Sequence, residues 1–278
     1  MPVPRSQRSR PHRSVVRRTS RLLVFLLVLG IPTPAVLPGA AASTSVAGQC
    51  QVAAHRGDHT HYTENGLGAF RRAVTVGAEW LEADARVTSD QQVMLMHDET
   101  VDRTTNGTGA VSAMTATQVH GLRLNDGIYS PPYAFQVLNM AATYNRKVLL
   151  ELKAMGTSTS YLRLANSIRA AGVDRVTIQS FSATLLSRIR AVLPEVKTAI
   201  TSVEALPAAT VRANGGIVVE QSAITDSWLA TMAGLPVYAW VVDSTVGWER
   251  LSTHVDAIIT NNPAGYIAAR AALCGTSP

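Results

Sequence analysis

Short apolar or β-branched runs alternate with amphipathic stretches from about residue 50 to residue 272. A strand followed by a helix at this spacing is typical of βαβ units and a parallel sheet. The pattern predicts strands at 51–54, 80–86, 147–152, 175–179, 196–201, 216–220, 236–241 and 257–260. It predicts helices at 67–76, 133–144, 161–171, 183–193, 206–213, 227–232, 246–251 and 264–273.

Eight strand–helix pairs between residues 51 and 273 predict an α/β fold of the (β/α)8 class, a TIM barrel. A doubly wound open sheet is the alternative. One apolar run, 93–96, follows the second strand after only a short turn-like segment. It should fold back antiparallel, because a parallel partner needs a crossover of about a dozen residues. We therefore expect a small hairpin and loop insertion over residues 88–132.

Composition excludes some classes of protein. Of the 278 residues, 46% are apolar and 16% are charged, which is typical of a folded protein with a sizeable core. The formal net charge is +6, but residues 1–21 contain seven arginines and no acid. Subtracting those seven charges from +6 leaves −1 for the rest of the chain. We therefore expect no nucleic-acid partner.

The first 42 residues have the order of a secretory signal peptide. The arginines precede a ten-residue apolar run at 22–31, and a small-residue site, Ala40-Ala41-Ala42, follows. A membrane-spanning helix needs about 20 apolar residues, so a retained anchor is the weaker alternative. We predict a signal peptide at 1–42, a single domain at 43–278, a secreted product and no membrane span after cleavage.

The chain has only two cysteines, Cys50 and Cys274, and they lie near the two ends of the predicted domain. In an oxidising compartment such a pair predicts one disulfide. The bond requires the first strand and the last helix to be neighbours, which a closed barrel provides. Two unrelated buried thiols are the alternative.

Polar residues interrupt the predicted strands mainly where the strands end. In a barrel these ends meet at one rim, where active sites are built. Glu82 and Asp84 lie two residues apart, so a strand directs both carboxylates to one face. The other candidates are His55, Arg56, His97, Glu151 and Lys153.

Three carboxylates, those of Glu82, Asp84 and Glu151, are expected to converge at this rim. Unpaired charges are costly to bury, and hard oxygen ligands suit Mg²⁺ or Ca²⁺ better than Zn²⁺. The pattern therefore favours one divalent cation as cofactor. A carboxylate cluster neutralised by Arg56 and Lys153 is the alternative.

Two histidines, His55 and His97, lie at strand ends beside these groups. One imidazole can accept a proton while a second donates one, because both forms exist near neutral pH. Arg56 and Lys153 suit the oxygens of a phosphate. The remaining histidines of the predicted domain are expected to be structural or on the surface, namely His59, His61, His120 and His254.

These motifs, in this order, resemble the glycerophosphodiester phosphodiesterase family over residues 52–264. The resemblance rests on His55-Arg56-Gly57, Glu64-Asn65 ahead of Ala69-Phe70, Glu82-Ala83-Asp84, Val93-Met94-Leu95-Met96-His97-Asp98, Arg103-Thr104-Thr105, Leu149-Leu150-Glu151-Leu152-Lys153, Gln179-Ser180-Phe181, Ala239-Trp240-Val241 and Ile259-Thr260-Asn261-Asn262-Pro263. No single motif is decisive, but their order and spacing are specific.

The resemblance implies a metal-dependent TIM-barrel hydrolase that cleaves a small glycerophosphodiester to glycerol 3-phosphate and an alcohol. It implies an acid/base pair, three metal ligands, two phosphate contacts, a residue that orients Arg56 or supports the metal, and an apolar face for the glycerol. The acid/base pair would be His55 and His97, and the metal ligands would be Glu82, Asp84 and Glu151. Arg56 and Lys153 would contact the phosphate, and Glu64 would orient Arg56 or support the metal. Trp240 would offer the apolar face, with a role in the barrel core as the alternative.

Two positions depart from the family pattern: Gly66 stands where threonine is usual, and Asn261-Asn262 replaces a more usual acidic residue. Both are expected to bear on substrate preference.

One alternative function is a phospholipase-D-like or cyclising lyase that acts on lysolipids, with Tyr129, Tyr133 and Phe135 as an apolar rim. Another is a barrel that binds phosphodiesters without cutting them. A monomer or small homo-oligomer is expected.

Overall fold

A computed structural model of the chain describes residues 50–275. Its strands are β1 Gln51–Ala54, β2 Trp80–Val87, β3 Val93–Leu95, β4 Lys147–Leu152, β5 Val176–Ser180, β6 Lys197–Ser202, β7 Ile217–Glu220, β8 Val237–Trp240 and β9 Ala257–Thr260. Its helices are α1 Leu67–Val76, α2 Ala116–Gly121, α3 Ala134–Thr143, α4 Ser158–Ala171, α5 Ala183–Val192, α6 Ala208–Asn214, α7 Asp226–Thr231, α8 Thr245–Leu251 and α9 Pro263–Cys274.

Eight of the strands are parallel and form a closed barrel. Hydrogen bonds join β1 to β2, β2 to β4, each later strand to the next, and β9 back to β1. At the seam between the ends of the chain, Ala54 pairs with Thr260. The predicted (β/α)8 barrel is confirmed, because an open sheet would leave β1 and β9 unpaired.

Strand alternation divides the apolar residues into two layers. On β4, Val148, Leu150 and Leu152 belong to the large core between the strands and the surrounding helices. Leu149 belongs instead to the smaller cluster inside the barrel. Glu151 therefore faces the same way as Leu149, one layer nearer to the carboxyl ends of the strands. The middle of the barrel interior is therefore filled by apolar side chains, and the end of the interior at the carboxyl ends of the strands is polar.

The insertion after β2 begins as a hairpin. β3 pairs antiparallel with β2, with Ala85 opposite Leu95, so the predicted reversal of direction is confirmed. The segment was expected to be irregular beyond the hairpin, but it contains α2. A capping box starts this helix, since the Thr115 side chain accepts from the Gln118 N–H and Gln118 binds back to the Thr115 backbone.

The two ends of the described chain meet beside the seam. Cys50 and Cys274 form a disulfide, with their Cα atoms 6.4 Å apart and 224 residues between them in sequence. Between residues 50 and 275 no helix has both the length and the apolar character needed to cross a bilayer. The predicted signal peptide at 1–42 lies outside the described residues.

Candidate active site

A cavity of about 230 Å³ lies at the carboxyl ends of the barrel strands. Its lining comes from most of the strands that close the barrel. It is lined by His55, Arg56, Glu82, His97, Glu151, Lys153, Gln179, Phe181, Thr201, Val218, Trp240 and Ile259. The structure thus brings together on one cavity seven of the predicted site residues.

The three predicted metal ligands form one cluster. Glu82 and Asp84 come from β2, and Glu151 lies beside Asp84 on the neighbouring strand β4. One oxygen from each carboxylate lies within 4.8 Å of the others, and all three side chains are buried. Three hard oxygen donors at this spacing fit a divalent cation of the Mg²⁺ or Ca²⁺ type.

Two cations and one amide hold part of this cluster. Lys153 Nζ lies 2.8 Å from Glu151 Oε1 and 3.4 Å from Asp84 Oδ1. Arg56 Nε lies 3.2 Å from Asp84 Oδ2. Asn65 donates from Nδ2 to Asp84 Oδ2 at 2.8 Å and accepts the Asp84 backbone N–H at 3.0 Å. Asp84 is therefore the most fully held of the three carboxylates.

Glu82 has a different environment. It accepts the Arg56 backbone N–H and the Gln179 Nε2 at 2.9 Å each. Among residues 50–275 no lysine or arginine side chain forms an ion pair with it. Burial raises the pKa of Glu82 well above its usual value, and the charges of Asp84 and Glu151 add to the rise. Burial and Asp84 also raise the pKa of Glu151.

The three carboxylates carry one more charge than Arg56 and Lys153 can balance, and burial together with their mutual repulsion raises the pKa of Glu82 and of Glu151. Arg56 is also shared, because its Nη1 donates to Glu64 Oε1 at 3.0 Å. A divalent cation would supply the missing charge, so the residues present fit a metal better than the neutralised cluster considered as the alternative.

The loop after β1 directs Arg56 into the site. Arg56 has φ 55° and Gly57 has φ 83°, both in the left-handed region. A Cβ at Gly57 would lie 2.7 Å from the Ala69 backbone carbon, so only glycine allows this loop to pack on α1. Burial opposes ionisation of Glu64, but hydrogen bonds from Arg103 and the charge of Arg56 lower its pKa to about 2. Glu64 therefore holds Arg56 as an ionised partner.

The two candidate acid/base residues have different partners. His55 Nδ1 lies 2.7 Å from Asn261 Oδ1, an amide oxygen. Burial lowers the pKa of His55 to about 4, and the charge of Arg56 adds to this effect. His97 Nδ1 lies 2.7 Å from Asp98 Oδ1, a carboxylate oxygen. Hydrogen bonds from Arg103 and His97 hold the pKa of Asp98 below its usual range.

Several contacts of the site were not predicted from the sequence. Asn261 was expected to bear on substrate preference, but its side chain contacts His55, one of the predicted acid/base residues. His59 was expected to be structural or on the surface, and its Nε2 lies 3.1 Å from the same amide oxygen. Asn65, which binds Asp84, and Asp98, which binds His97, belong to the motifs Glu64-Asn65 and His97-Asp98. The motifs alone did not indicate which residues these two side chains contact.

Trp240 lines the cavity and also packs on the cluster inside the barrel. Its Nε1 is buried without a hydrogen-bond partner, and its ring lies 5.9 Å from Phe181, edge to face. Phe181 is 52% exposed. The two rings therefore form an aromatic wall on one side of the cavity.

The aromatic residues of the insertion occupy a different place. Tyr129 packs on Tyr62 at 5.9 Å, and Tyr133 packs on Phe135 at 5.4 Å. The lining of the cavity does not include Tyr129, Tyr133 or Phe135. An apolar rim at the cavity comes from Phe181 instead.

The chain is similar to known enzymes of one kind. The glycerophosphodiester phosphodiesterase of Caldanaerobacter subterraneus subsp. tengcongensis is 27% identical over 246 residues, which cover 76% of this chain and 94% of that protein. A solved Oleispira antarctica phosphodiesterase in complex with the product sn-glycerol-3-phosphate has the same fold, with a TM-score of 0.73. It is 20% identical, over 80% of this chain and 96% of that one.

A second solved structure, a glycerophosphodiester phosphodiesterase from Agrobacterium tumefaciens, is 24% identical with a TM-score of 0.69. The match covers 78% of this chain and 99% of that one. The model of the Glycerophosphoryl diester phosphodiesterase family matches residues 55–265, most of the chain. The predicted family and enzyme class are thereby confirmed: the chain belongs to the glycerophosphodiester phosphodiesterases.

Proposed function

We propose that this enzyme is secreted and uses a divalent cation to hydrolyse glycerophosphodiesters to sn-glycerol 3-phosphate and an alcohol. One observation carries the proposal: two imidazoles, two cationic side chains and two carboxylates of the three-carboxylate cluster border a single cavity. The sn-glycerol-3-phosphate described as the product of the Oleispira antarctica phosphodiesterase, which shares the fold, supports this choice of product.

The residues divide the chemistry between proton transfer and charge stabilisation. His55 accepts a proton from the attacking water as its oxygen bonds to phosphorus, and His97 donates a proton to the alcohol oxygen as its bond to phosphorus breaks. Arg56 and Lys153 bind the phosphate oxygens, and Glu64 holds Arg56 in place.

Glu82, Asp84 and Glu151 hold the cation, which is Ca²⁺ or Mg²⁺. When bound, the cation supplies Lewis-acid stabilisation of the charge that develops on the phosphate. The aromatic wall of Trp240 and Phe181 faces the glycerol or the leaving group.

The proposed export rests on the predicted signal peptide at 1–42 and on the Cys50–Cys274 disulfide, a bond that persists mainly in oxidising compartments. Expression with the full leader, followed by amino-terminal sequencing of the protein in the medium, tests it. A new amino terminus near Ser43 supports export with cleavage, whereas retention of the intact chain in the cells contradicts it.

The reaction is tested by a coupled glycerol 3-phosphate assay on the purified enzyme with glycerophosphocholine. We expect EDTA to abolish turnover and Mg²⁺ or Ca²⁺ to restore it. The matched control is His254→Ala, because that histidine lies at the amino ends of the strands and should leave turnover unchanged. Turnover that persists in EDTA would contradict the metal-dependent mechanism, and absence of any product with metal present would favour a non-catalytic binding barrel.

A second candidate is hydrolysis of lysolipids, favoured by the exposed Phe181 beside Trp240. The comparison is between lysophosphatidylcholine and glycerophosphocholine at equal concentration. If the lysolipid is the better substrate and Phe181→Ser removes that advantage, the aromatic wall binds acyl chains. If glycerophosphocholine is turned over faster and Phe181→Ser changes the ratio less than twofold, the first candidate stands.

A further inference from the structure

The side chain of Asn261 lies between His55 and the carboxylate of Asp243. Its Oδ1 is 2.7 Å from His55 Nδ1 and 3.1 Å from His59 Nε2. Its Nδ2 donates to Asp243 Oδ2 at 2.7 Å, and its backbone N–H donates to Asp243 Oδ1 at 2.8 Å. The amide is thus held on both sides by polar groups.

Asp243 determines which way the amide points. A carboxylate only accepts hydrogen bonds, so the Nδ2 group of Asn261 must face it. The reversed amide would lose the hydrogen bond to Asp243 and place two acceptor oxygens, Asn261 Oδ1 and Asp243 Oδ2, against each other. Thr260 Oγ1 also donates to Asp243 Oδ1 at 2.8 Å, which holds the carboxylate itself in position.

The orientation of the amide then determines the tautomer of His55. Asn261 Oδ1 only accepts, so the hydrogen bond at 2.7 Å requires a proton on His55 Nδ1. In the neutral ring, Nε2 is then the free base. His59 Nε2 donates to the same oxygen, so both histidines contribute donors and neither can turn an acceptor towards it.

We infer that Asn261, oriented by Asp243, is a positioning residue that keeps the proton of His55 on Nδ1 and leaves Nε2 free to accept a proton in the reaction. This inference rests on the proposed function, in which His55 is the base. It extends the active site to two residues, Asn261 and Asp243, that contribute neither a metal ligand nor a proton to the substrate.

The first measurement is the tautomer of His55 in the Mg²⁺-loaded mature enzyme labelled with ¹⁵N-histidine. The His55 signals are identified by their loss in His55→Ala. We expect the wild-type ring to be in the Nδ1–H form. Asn261→Leu removes the acceptor, so the Nε2–H form should become populated, and kcat should fall by about 10- to 100-fold with KM within about threefold.

An exchange variant separates positioning from simple loss of packing. In the Asp243→Asn/Asn261→Asp double variant, a carboxylate faces His55 and an amide faces that carboxylate, so every hydrogen bond of the chain of contacts can form again. We expect the Nδ1 proton to return and most of the lost kcat to be recovered at about pH 9, because the new carboxylate favours a second proton on the ring at lower pH. Asn139→Leu, at an exposed position on α3, is the matched control and should match the wild type.

Two results would overturn the inference. One is an unchanged Nδ1–H tautomer and unchanged kcat in Asn261→Leu. The other is an exchange variant with wild-type melting temperature that stays as slow as Asn261→Leu. Failure of the proposed function is recognised separately: the wild type would then release no glycerol 3-phosphate with metal present, or His55→Ala would retain full turnover, whatever the spectra of the Asn261 variants show.

Discussion

His55 and His97 border the same cavity but lie in different surroundings. His55 follows the first strand of the barrel, is half-buried, and contacts a neutral amide. His97 follows the hairpin strand of the insertion, its side chain is 32% exposed, and it contacts a carboxylate. The two residues therefore differ in partner charge and in the part of the fold that supplies them.

The difference indicates a division of labour. Burial and the charge of Arg56 lower the pKa of His55 to about 4 and favour its neutral form, whereas His97 lies beside the carboxylate of Asp98. His55 thus suits the base and His97 suits the acid. Pairs of titratable groups whose environments differ in this way are typical of acid/base sites.

The Asp98 carboxylate, the partner of His97, is held in place by Arg103 from the insertion. Arg103 donates from Nε to Asp98 Oδ2 and from Nη1 and Nη2 to the two oxygens of Glu64. One guanidinium thus holds the partner of His97 and the partner of Arg56. Among residues 50–275 no arginine holds the partner of His55. That partner, Asn261, is held by the carboxylate of Asp243 instead.

The largest expected effect comes from removing each imidazole in turn. His55→Ala and His97→Ala should each lower kcat for glycerophosphocholine by about 100- to 10,000-fold. With a glycerophospho-p-nitrophenol substrate, whose leaving group needs no protonation, most of the loss in His97→Ala should disappear while that in His55→Ala remains. Steady-state kinetics on both substrates checks this, and the opposite pattern would reverse the two roles.

The next effect concerns the carboxylates beside His55. Because burial and neighbouring charge raise the pKa values of Glu82 and Glu151, the metal-free fold is stabilised by protons that it loses as pH rises through those values. Binding of the cation must displace these protons. Affinity for Mg²⁺ or Ca²⁺ should therefore rise with pH, by up to about tenfold per pH unit for each proton released.

Calorimetric titration of the metal-free enzyme at about pH 5 and about pH 8 measures this dependence. The rise in melting temperature on adding the cation should be greater at the higher pH. Glu82→Gln is the informative variant, since it removes one proton-binding ligand and should weaken both the affinity and its pH dependence. Affinity that is independent of pH would show that the carboxylates are already ionised without the metal.

A smaller effect is expected when the two partners are made alike. Asp98→Asn gives His97 an amide partner, as His55 has, and should lower kcat for glycerophosphocholine by about 10- to 100-fold. The loss should shrink with the p-nitrophenyl substrate, because protonation of the leaving group no longer matters. Asp174→Asn, exposed at the other end of the barrel, is the control for the same chemical change. An equal loss on both substrates would contradict the acid role.

The smallest effect is expected at Arg103, which is half-exposed. Arg103→Lys keeps the charge but loses the fork that binds Asp98 and Glu64 together, so we expect about a tenfold loss in kcat/KM. Part should appear in KM, through Glu64 and Arg56, and part in kcat, through Asp98 and His97. Arg123→Lys, in the same insertion, should leave both parameters unchanged, and a loss confined to KM would show that Arg103 does not support His97.

Much of the fold follows from patterns that are local in the sequence. The alternation of strand and helix predicts the barrel, and the short turn before β3 predicts its reversal of direction. The spacing of Glu82 and Asp84 predicts that both face the barrel interior, because side chains alternate along a strand. Helix α2 escaped prediction because a single capping box, Thr115 with Gln118, starts it within a segment that otherwise reads as loop.

The partners of the acid/base residues depend on contacts that no local pattern encodes. Asn261 is 206 residues from His55 in sequence, and only closure of the barrel makes them neighbours. The sequence shows that Asn261 is an amide, but the direction of that amide follows from Asp243, a residue in a different loop. Glu64 and Arg103 meet across 39 residues for the same reason.

The seam between β1 and β9 has a consequence for biosynthesis. His55 leaves one side of that seam and Asn261 leaves the other, joined by the hydrogen bond from the His55 N–H to the Thr260 carbonyl. A nascent chain in which Asp243 and Asn261 have not yet been synthesised cannot orient the imidazole of His55, even if the earlier strands have folded. The active site is therefore completed only when β9 and α9 pack against β1, which is also when the Cys50–Cys274 disulfide can form beside the seam.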